Sequence, residues 1–272
     1  MKRALCLLAV LALAACSGGG GEESATDILG ETADNLGEIR SGDLTLELLF
    51  STSQGQQQGF TLEGPFSLAG ERLPVAELAY TQVAGDQQAQ LTFLSTGEEA
   101  FVEVNDVAYE LPGTVEGEIE QATAELETDG LGERIELGNW LEDPERSEGG
   151  NVGGAETDKI VADLNVVNVV NGLLEIAAAF NGSEAPPAIQ GQSAEQVRNS
   201  VESARIEVYT GKDDRLLRRL LLSLSFSPDA PADVKRVLGV DVRFEFAVAD
   251  PNKDVEVTAP ENVRPYSDLV GG

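Results

Sequence analysis

The sequence predicts an α+β fold built on a largely antiparallel sheet of about eleven strands with three or four helices. Three observations predict it. Most of the chain alternates apolar and polar residues, the signature of strands with one buried face. Consecutive alternating runs are separated by short turn signals, which implies that neighbours in sequence pair as an antiparallel meander. Four stretches instead space their apolar residues by three and four, as amphipathic helices do.

The first helix is expected over Thr26 to Arg40, where Ile28, Leu29, Ala33, Leu36 and Ile39 share one side and Thr26 or Asp27 would cap the start. Ser41-Gly42-Asp43 ends it, and Leu44, Leu46, Leu48 and Phe50 then alternate as a strand. Gln54 to Gly59 has the composition of a hairpin loop. Strands follow around Phe60 to Leu68, Val75 to Val83, Gln90 to Leu94, Ala100 to Val104 and Val107 to Leu111, with Asn105-Asp106 as a tight turn between the last two. Thr114 to Thr128 places Val115, Ile119, Ala122 and Leu126 on one side of a second helix. Gly130 to Gly154 is rich in glycine and charge and is expected to be irregular apart from Asn139-Trp140-Leu141. Asn151 to Ala162 is expected as a strand, Val166 to Phe180 as a largely buried helix, and Ser193 to Ser200 as a further helix after the break at Pro186-Pro187. The last third alternates again through Ala204, Ile206 and Val208, then Leu220 to Phe226, then Val240 to Val248 opposite Asp241, Arg243 and Glu245. Val255 and Val257 are expected to close the series after the turn Asp250-Pro251-Asn252.

Composition limits function. The chain carries 48 acidic and 18 basic residues, a net charge of −30, which repels nucleic acid and anionic surfaces at long range. Histidine is absent, removing the usual general base, the usual zinc ligand and any Ser-His-Asp or Cys-His arrangement. Among so many carboxylates no pair is singled out by spacing as an acid/base couple, so an enzyme is not expected and no cofactor is called for. Asp250, Asn252 and Asp254 alternate as cation ligands do, but the glycine and distal glutamate of a calcium loop are missing, and a turn explains them better.

The N-terminus carries an address. Lys2 and Arg3 precede an apolar run from Ala4 to Ala12, as in a secretory leader, and the run is shorter than the roughly 20 residues needed to span a bilayer. Leu13-Ala14-Ala15-Cys16 resembles the lipobox of bacterial lipoproteins, which implies cleavage after residue 15 and acylation of Cys16. Cys6 would leave with the leader, so the mature chain would have no second thiol for a disulfide. The expected organisation is a signal peptide over 1–15, a Gly/Ser-rich lipidated tether over 16–25, and a single domain over 26–272. The expected location is the extracytoplasmic side of the cell membrane, held there by the Cys16 anchor.

Several motifs resemble the LppX/LprAFG lipoproteins, which are in turn similar to the LolA/LolB lipoprotein carriers. They are the lipobox, the first helix running into an alternating strand, Gly153-Gly-Ala-Glu-Thr-Asp-Lys-Ile-Val-Ala-Asp-Leu164, Ala204-Arg-Ile-Glu-Val-Tyr209 leading to Arg215-Leu-Leu-Arg-Arg219, and a closing Val255-Glu-Val-Thr-Ala-Pro260. The resemblance implies a LolA-like, strongly curved half-barrel sheet wrapped around helices. It would enclose a cavity that binds the acyl chains of a lipid or glycolipid, carried or transferred by a monomer, with a membrane transporter as a possible partner.

The residues suit that expectation. Aromatic residues are 5% of the chain, and walls of Leu, Val and Ala offer apolar area without directed hydrogen bonds, as acyl chains require. The inward-facing candidates are Leu46, Leu48, Phe93, Val102, Ile206, Val208, Leu222, Leu224, Phe244 and Phe246, with Val166 and Val170 on the buried helix as the opposite wall. The same alternation also describes an ordinary filled core, so a structural or interaction lipoprotein without a ligand is the competing expectation. Arg215, Arg218 and Arg219 form the one dense basic cluster, either a site for an anionic headgroup or a solvated strand end balancing Asp213 and Asp214.

Overall fold

The computed structural model describes residues 23–51, 56–70, 72–134, 140–180, 187–227 and 240–271. The expected leader over 1–15, Cys16 and the tether up to residue 22 lie outside them. Among the described residues twelve strands form one open, curved sheet. The strands are β1 (Ser41–Ser51), β2 (Gln57–Ser67), β3 (Val75–Ala84), β4 (Gln87–Thr96), β5 (Ala100–Val104), β6 (Val107–Glu110), β7 (Leu141–Val152), β8 (Ala155–Leu164), β9 (Val201–Gly211), β10 (Leu217–Phe226), β11 (Asp241–Ala249) and β12 (Val263–Pro265). The helices are α1 (Ala25–Asp34), α2 (Gly113–Arg134), α3 (Val166–Phe180), α4 (Gly191–Ser200) and the single turn α5 (Ser267–Val270).

The strand order β12-β6-β5-β4-β3-β2-β1-β11-β10-β9-β8-β7 resolves into two meanders, β1–β6 and β7–β11, joined where β1 pairs with β11. Every pair is antiparallel except β12 with β6. Leu44, Leu46 and Leu48 lie opposite Val248, Phe246 and Phe244 across the join, so the apolar faces of the two meanders become one surface.

The chain chemistry explains most boundaries and several departures from expectation. The Ser24 hydroxyl accepts from the Asp27 N–H at 3.1 Å and caps α1, in place of Thr26 or Asp27, so helical structure begins at Ala25, within the stretch expected as a tether. Asn35 and Gly37 are poor helix formers, and the expected helix to Arg40 stops at Asp34 and tightens into a 3₁₀ turn over Asn35–Glu38. Leu36 and Ile39 are nonetheless buried. Asn105 and Asp106, both at positive φ (52° and 61°), form the expected tight turn of the β5–β6 hairpin. Gln57, Gln58 and Gly59, expected in a loop, begin β2, because pairing with Ser51, Phe50 and Leu49 continues to the strand ends whatever the side chains.

The region expected to be irregular holds a real strand. β7 lacks apolar alternation because it is the sheet edge, paired on one side to β8 and exposed along most of its length. Pro144, charged side chains and two register shifts mark it as a protected edge. Gly153 and Gly154, at φ 57° and 85°, turn the chain into β8, so the strand expected over 151–162 is divided by that turn.

Val255 and Val257 form no strand. β11 is flanked by β1 and β10, so a chain leaving it finds no free edge beside it. Residues 253–260 therefore run without regular structure until β12 pairs beside β6. The turn at Asp250 to Asn252 is tied down by hydrogen bonds to Arg40 and to the start of β1. The Asn252 Oδ1 accepts from the Arg40 N–H at 2.8 Å, and the Asn252 N–H donates to the Ser41 carbonyl at 2.8 Å.

Candidate functional site

All ten strand residues expected to face inward share one face of the sheet. The cross-strand rows run Ala162, Ile206, Leu222, Phe244, Leu48, Phe60 and, one row along, Ile160, Val208, Leu220, Phe246, Leu46, Leu62, Tyr80, Leu91. The next row brings Leu78, Phe93, Val102 and Tyr109 together. A period of two puts these positions on one surface once the register is fixed.

That surface has two parts. Over β8–β11 it is closed by the protein itself. Ile206, Val208 and Leu222 are completely buried, and Leu224, Phe244 and Phe246 nearly so. Val169, Val170 and Leu173 of α3, Ile28 of α1, Val197 of α4 and Trp140 belong to the same packed cluster. Trp140 lies so close over α3 that a Cβ on Gly172 would come within 2.7 Å of its indole ring. A fully buried aliphatic or Phe side chain contributes about 1.5–3 kcal/mol, so this half is the stabilising core.

Over β1–β4 the same face is only half covered. Leu44, Leu46, Phe50, Leu62, Leu78, Tyr80, Leu91 and Phe93 are half-buried, while Leu48 and Phe60 on β1 and β2 and, at the end away from the β3–β4 turn, Phe66, Ala76 and Ser95 are buried. Phe60 and Tyr80 stack with ring centroids 6.0 Å apart. α2 does not seal this surface. Its first turn is tied down by Glu116, which accepts from the Arg72 guanidinium at 2.8 Å and the Ala100 N–H at 3.1 Å. These bonds, the Arg72 one foremost, hold the Glu116 carboxyl below the usual range. Beyond it Val115 and Ile119 are half-buried and Ala122, expected on the apolar side, is exposed; Leu126 lies outside the described side chains.

Of the twelve expected lining residues, Leu48, Val102, Val170, Ile206, Val208, Leu222, Leu224, Phe244 and Phe246 are therefore buried among protein side chains, and Leu46, Phe93 and Val166 remain partly accessible. The half-covered Leu62, Leu78, Tyr80 and Leu91 went unnamed, although the alternation Phe60/Leu62, Leu78/Tyr80 and Leu91/Phe93 carries them. At the hairpin end of this half the inner face finishes in Gln58, Gln82 and Gln87, all exposed.

The charges sit elsewhere. No Asp, Glu, Lys or Arg occupies an inner-face position of β1–β4. The basic cluster is neither a solvated strand end nor an open anion site. Arg215 bonds Asp158 at 3.0 Å, approaches Glu31 at 3.3 Å and pairs with Glu23. Burial works against its charge, but these carboxylates win and raise its pKa. Arg218, 4% exposed, binds Asp214 at 2.5 Å as expected, and Arg219 binds Glu245 at 2.9 Å. On the outer face Glu207 is met by Lys159 at 2.9 Å, by the Tyr209 hydroxyl at 2.7 Å and by Arg205. Although desolvation pushes its pKa up, these three partners bring it down to about 2.

Among the described residues no group of three His, Cys, Asp or Glu side chains is placed to hold a metal ion, and no helix is long and apolar enough to cross a membrane. No protein-family model matches the chain, and no curated protein matches it. Among solved structures it is similar to LprF from Mycobacterium bovis, at 10% identity over 87% of this chain and 96% of that one, with a TM-score of 0.49.

Chemically, the half-covered face offers aliphatic and aromatic area without charged side chains on it, and neutral amides at one end. An apolar ligand would gain there by exclusion of water.

Proposed function

We propose that this protein is an extracytoplasmic lipoprotein, anchored to the cell membrane through Cys16, which holds the acyl chains of a lipid or glycolipid against the inner face of β1–β4 and carries or transfers them as a monomer. The observation that supports this reading is the contrast within one apolar face: sealed by helices over β8–β11, half-covered and free of charge over β1–β4. A monomeric soluble domain rarely leaves a contiguous apolar surface uncovered unless something binds there. Each methylene removed from water contributes about 0.8 kcal/mol, so burying about ten of them on this face supplies roughly 8 kcal/mol before the ordering of the chains is subtracted. Release needs only that the covering elements part, with no covalent step, and a membrane transporter is the natural partner for hand-over.

The competing reading, a filled scaffold without ligand, has the sealed half of the sheet in its favour. Native mass spectrometry separates the two. The full-length chain purified from a lipidating host is expected to carry a lipid mass beyond its anchor, to lose it on solvent extraction, and to regain it from offered phospholipid. A bare polypeptide-plus-anchor mass throughout, with no uptake, would leave only the scaffold.

A further inference from the structure

The next step rests on the lipid-carrying reading and concerns the head of the ligand. The charge-free inner face of β1–β4 ends in three exposed glutamines at the hairpin end of the sheet. Gln58 and Gln87 lie on either side of Ala84 in one cross-strand row, and Gln82 lies in the next row beside Phe60. With strands about 4.8 Å apart and two residues rising about 6.7 Å, the three amides fall within the span of one or two sugar rings. Along β3 and β4 accessibility increases toward this end, from buried Ala76 and Ser95 through half-buried Leu78, Tyr80, Phe93 and Leu91 to exposed Ala84 and Ala89, while on β2 Phe60 stays buried one row before exposed Gln58. Among the described residues, Asp86 of the β3–β4 turn, Asp106 of the β5–β6 turn and Asp241 at the start of β11 bring acidic charge to this end. Arg243, two residues along β11, points to the opposite face and is committed to Glu47 at 2.6 Å and Glu245 at 3.3 Å.

A glutamine amide presents two N–H donors and a carbonyl acceptor without net charge. It matches a hydroxyl, which both donates and accepts, and it cannot neutralise a phosphate taken out of water. Asp86 and Asp241 add repulsion against an anion. We infer that the lipid held on this face bears an uncharged, hydroxyl-rich head, hydrogen-bonded by Gln58, Gln82 and Gln87 at the mouth, and that phosphate-bearing lipids with the same tails bind less well. The tails give affinity and the amides select the head.

The test uses the full-length chain in detergent micelles, offered equimolar dioleoylglycerol bearing one galactose and dioleoyl phosphatidylglycerol, with bound lipid identified by native mass spectrometry. The galactolipid is expected to be favoured about tenfold, the effect of one or two neutral hydrogen bonds together with the unpaired phosphate. The triple variant Gln58→Ala/Gln82→Ala/Gln87→Ala should bring the preference close to one while total lipid bound stays the same, and Gln82→Ala alone should fall between. Equal or preferential binding of phosphatidylglycerol by the unmodified chain, or a preference untouched by the triple variant, overturns the assignment. Lipid bound without preference removes only this inference, whereas no lipid bound at all removes the carrier reading on which it stands.

Discussion

The two meanders of this protein present the same kind of face and finish it differently. β8–β11 and β1–β4 both alternate aliphatic and aromatic residues on the inner side, and the register makes them continuous across Leu46/Phe246 and Leu48/Phe244. The difference comes from where the helices are inserted. α3 and α4 both lie between β8 and β9, and α1 docks on the same half through a hydrogen bond of 2.8 Å between the Thr32 and Thr210 hydroxyls. The C-terminal meander therefore carries its own cover. The N-terminal meander has short turns between strands, and its one long helix, α2, follows β6 and is pinned by its first turn. Identical patterning thus produces a core in one half and an accessible apolar surface in the other, because burial depends on what the connections bring over the face.

The comparison is most exposed to substitution at its two aromatic centres. Phe244→Ala, between Leu48 and Leu222 in the sealed half, should cost about 3–5 kcal/mol and lower Tm steeply, because the cavity cannot be refilled by rigid neighbours. Phe93→Ala in the half-covered part should cost only about 1 kcal/mol by denaturant unfolding. Equal losses at the two sites would abolish the distinction between the halves. A charge sharpens it further: Leu62→Asp, on the half-buried row between Leu46 and Tyr80, should leave the fold intact with a loss of about 1–2 kcal/mol yet cut lipid uptake at least about tenfold. Unchanged uptake in that variant would place the acyl chains elsewhere.

The smallest effect is in pH. Glu207 lies on the outer face of the sealed half, and its folded pKa is lowered from 4.5 to about 2 by Lys159, Tyr209 and Arg205 against the opposing effect of burial. A carboxyl depressed by folding contributes its full stability above its unfolded value and loses it as pH falls through the folded one. Stability should therefore decline between about pH 4.5 and pH 2 with a contribution from this residue, and Glu207→Gln should flatten that part of the curve in a chemical-denaturation series. Lipid uptake per folded molecule, on a face with no ionisable carboxylate or amine, should not change between pH 5 and pH 8 by the same logic. A titration of uptake in that window would point to a charge at the site.

Much of the fold was legible as pattern. The alternation through Leu44–Phe50, Leu220–Phe226 and Val242–Val248 marks strands and their buried side, because a period of two is imposed by the pleat itself. The buried helix over Val166–Phe180 was equally plain, being apolar on nearly all sides. β7 was not, since an edge strand buries neither face and so leaves no apolar period to find. Nor was the fate of Val255 and Val257, because their alternation is strand-like and only the occupied edges of β11 deny them a partner. The pairing of Arg218 with Asp214 was local, but the partner of Arg215 was hidden for a related reason: Asp158, buried, is 57 residues away in the chain and becomes its neighbour only through β8–β9 pairing.

What the amino-acid sequence determined by itself is local: which residues alternate, which stretches coil, where turns fall, and that the chain is acidic and without histidine. The local elements follow from steric preference and from the chemistry of single residues. The tertiary structure alone decided that β1 joins β11, that one continuous apolar face results, and that the helices close only half of it. Periodicity says that a side chain points inward; whether it meets another side chain or an open surface depends on the packing of elements remote in sequence.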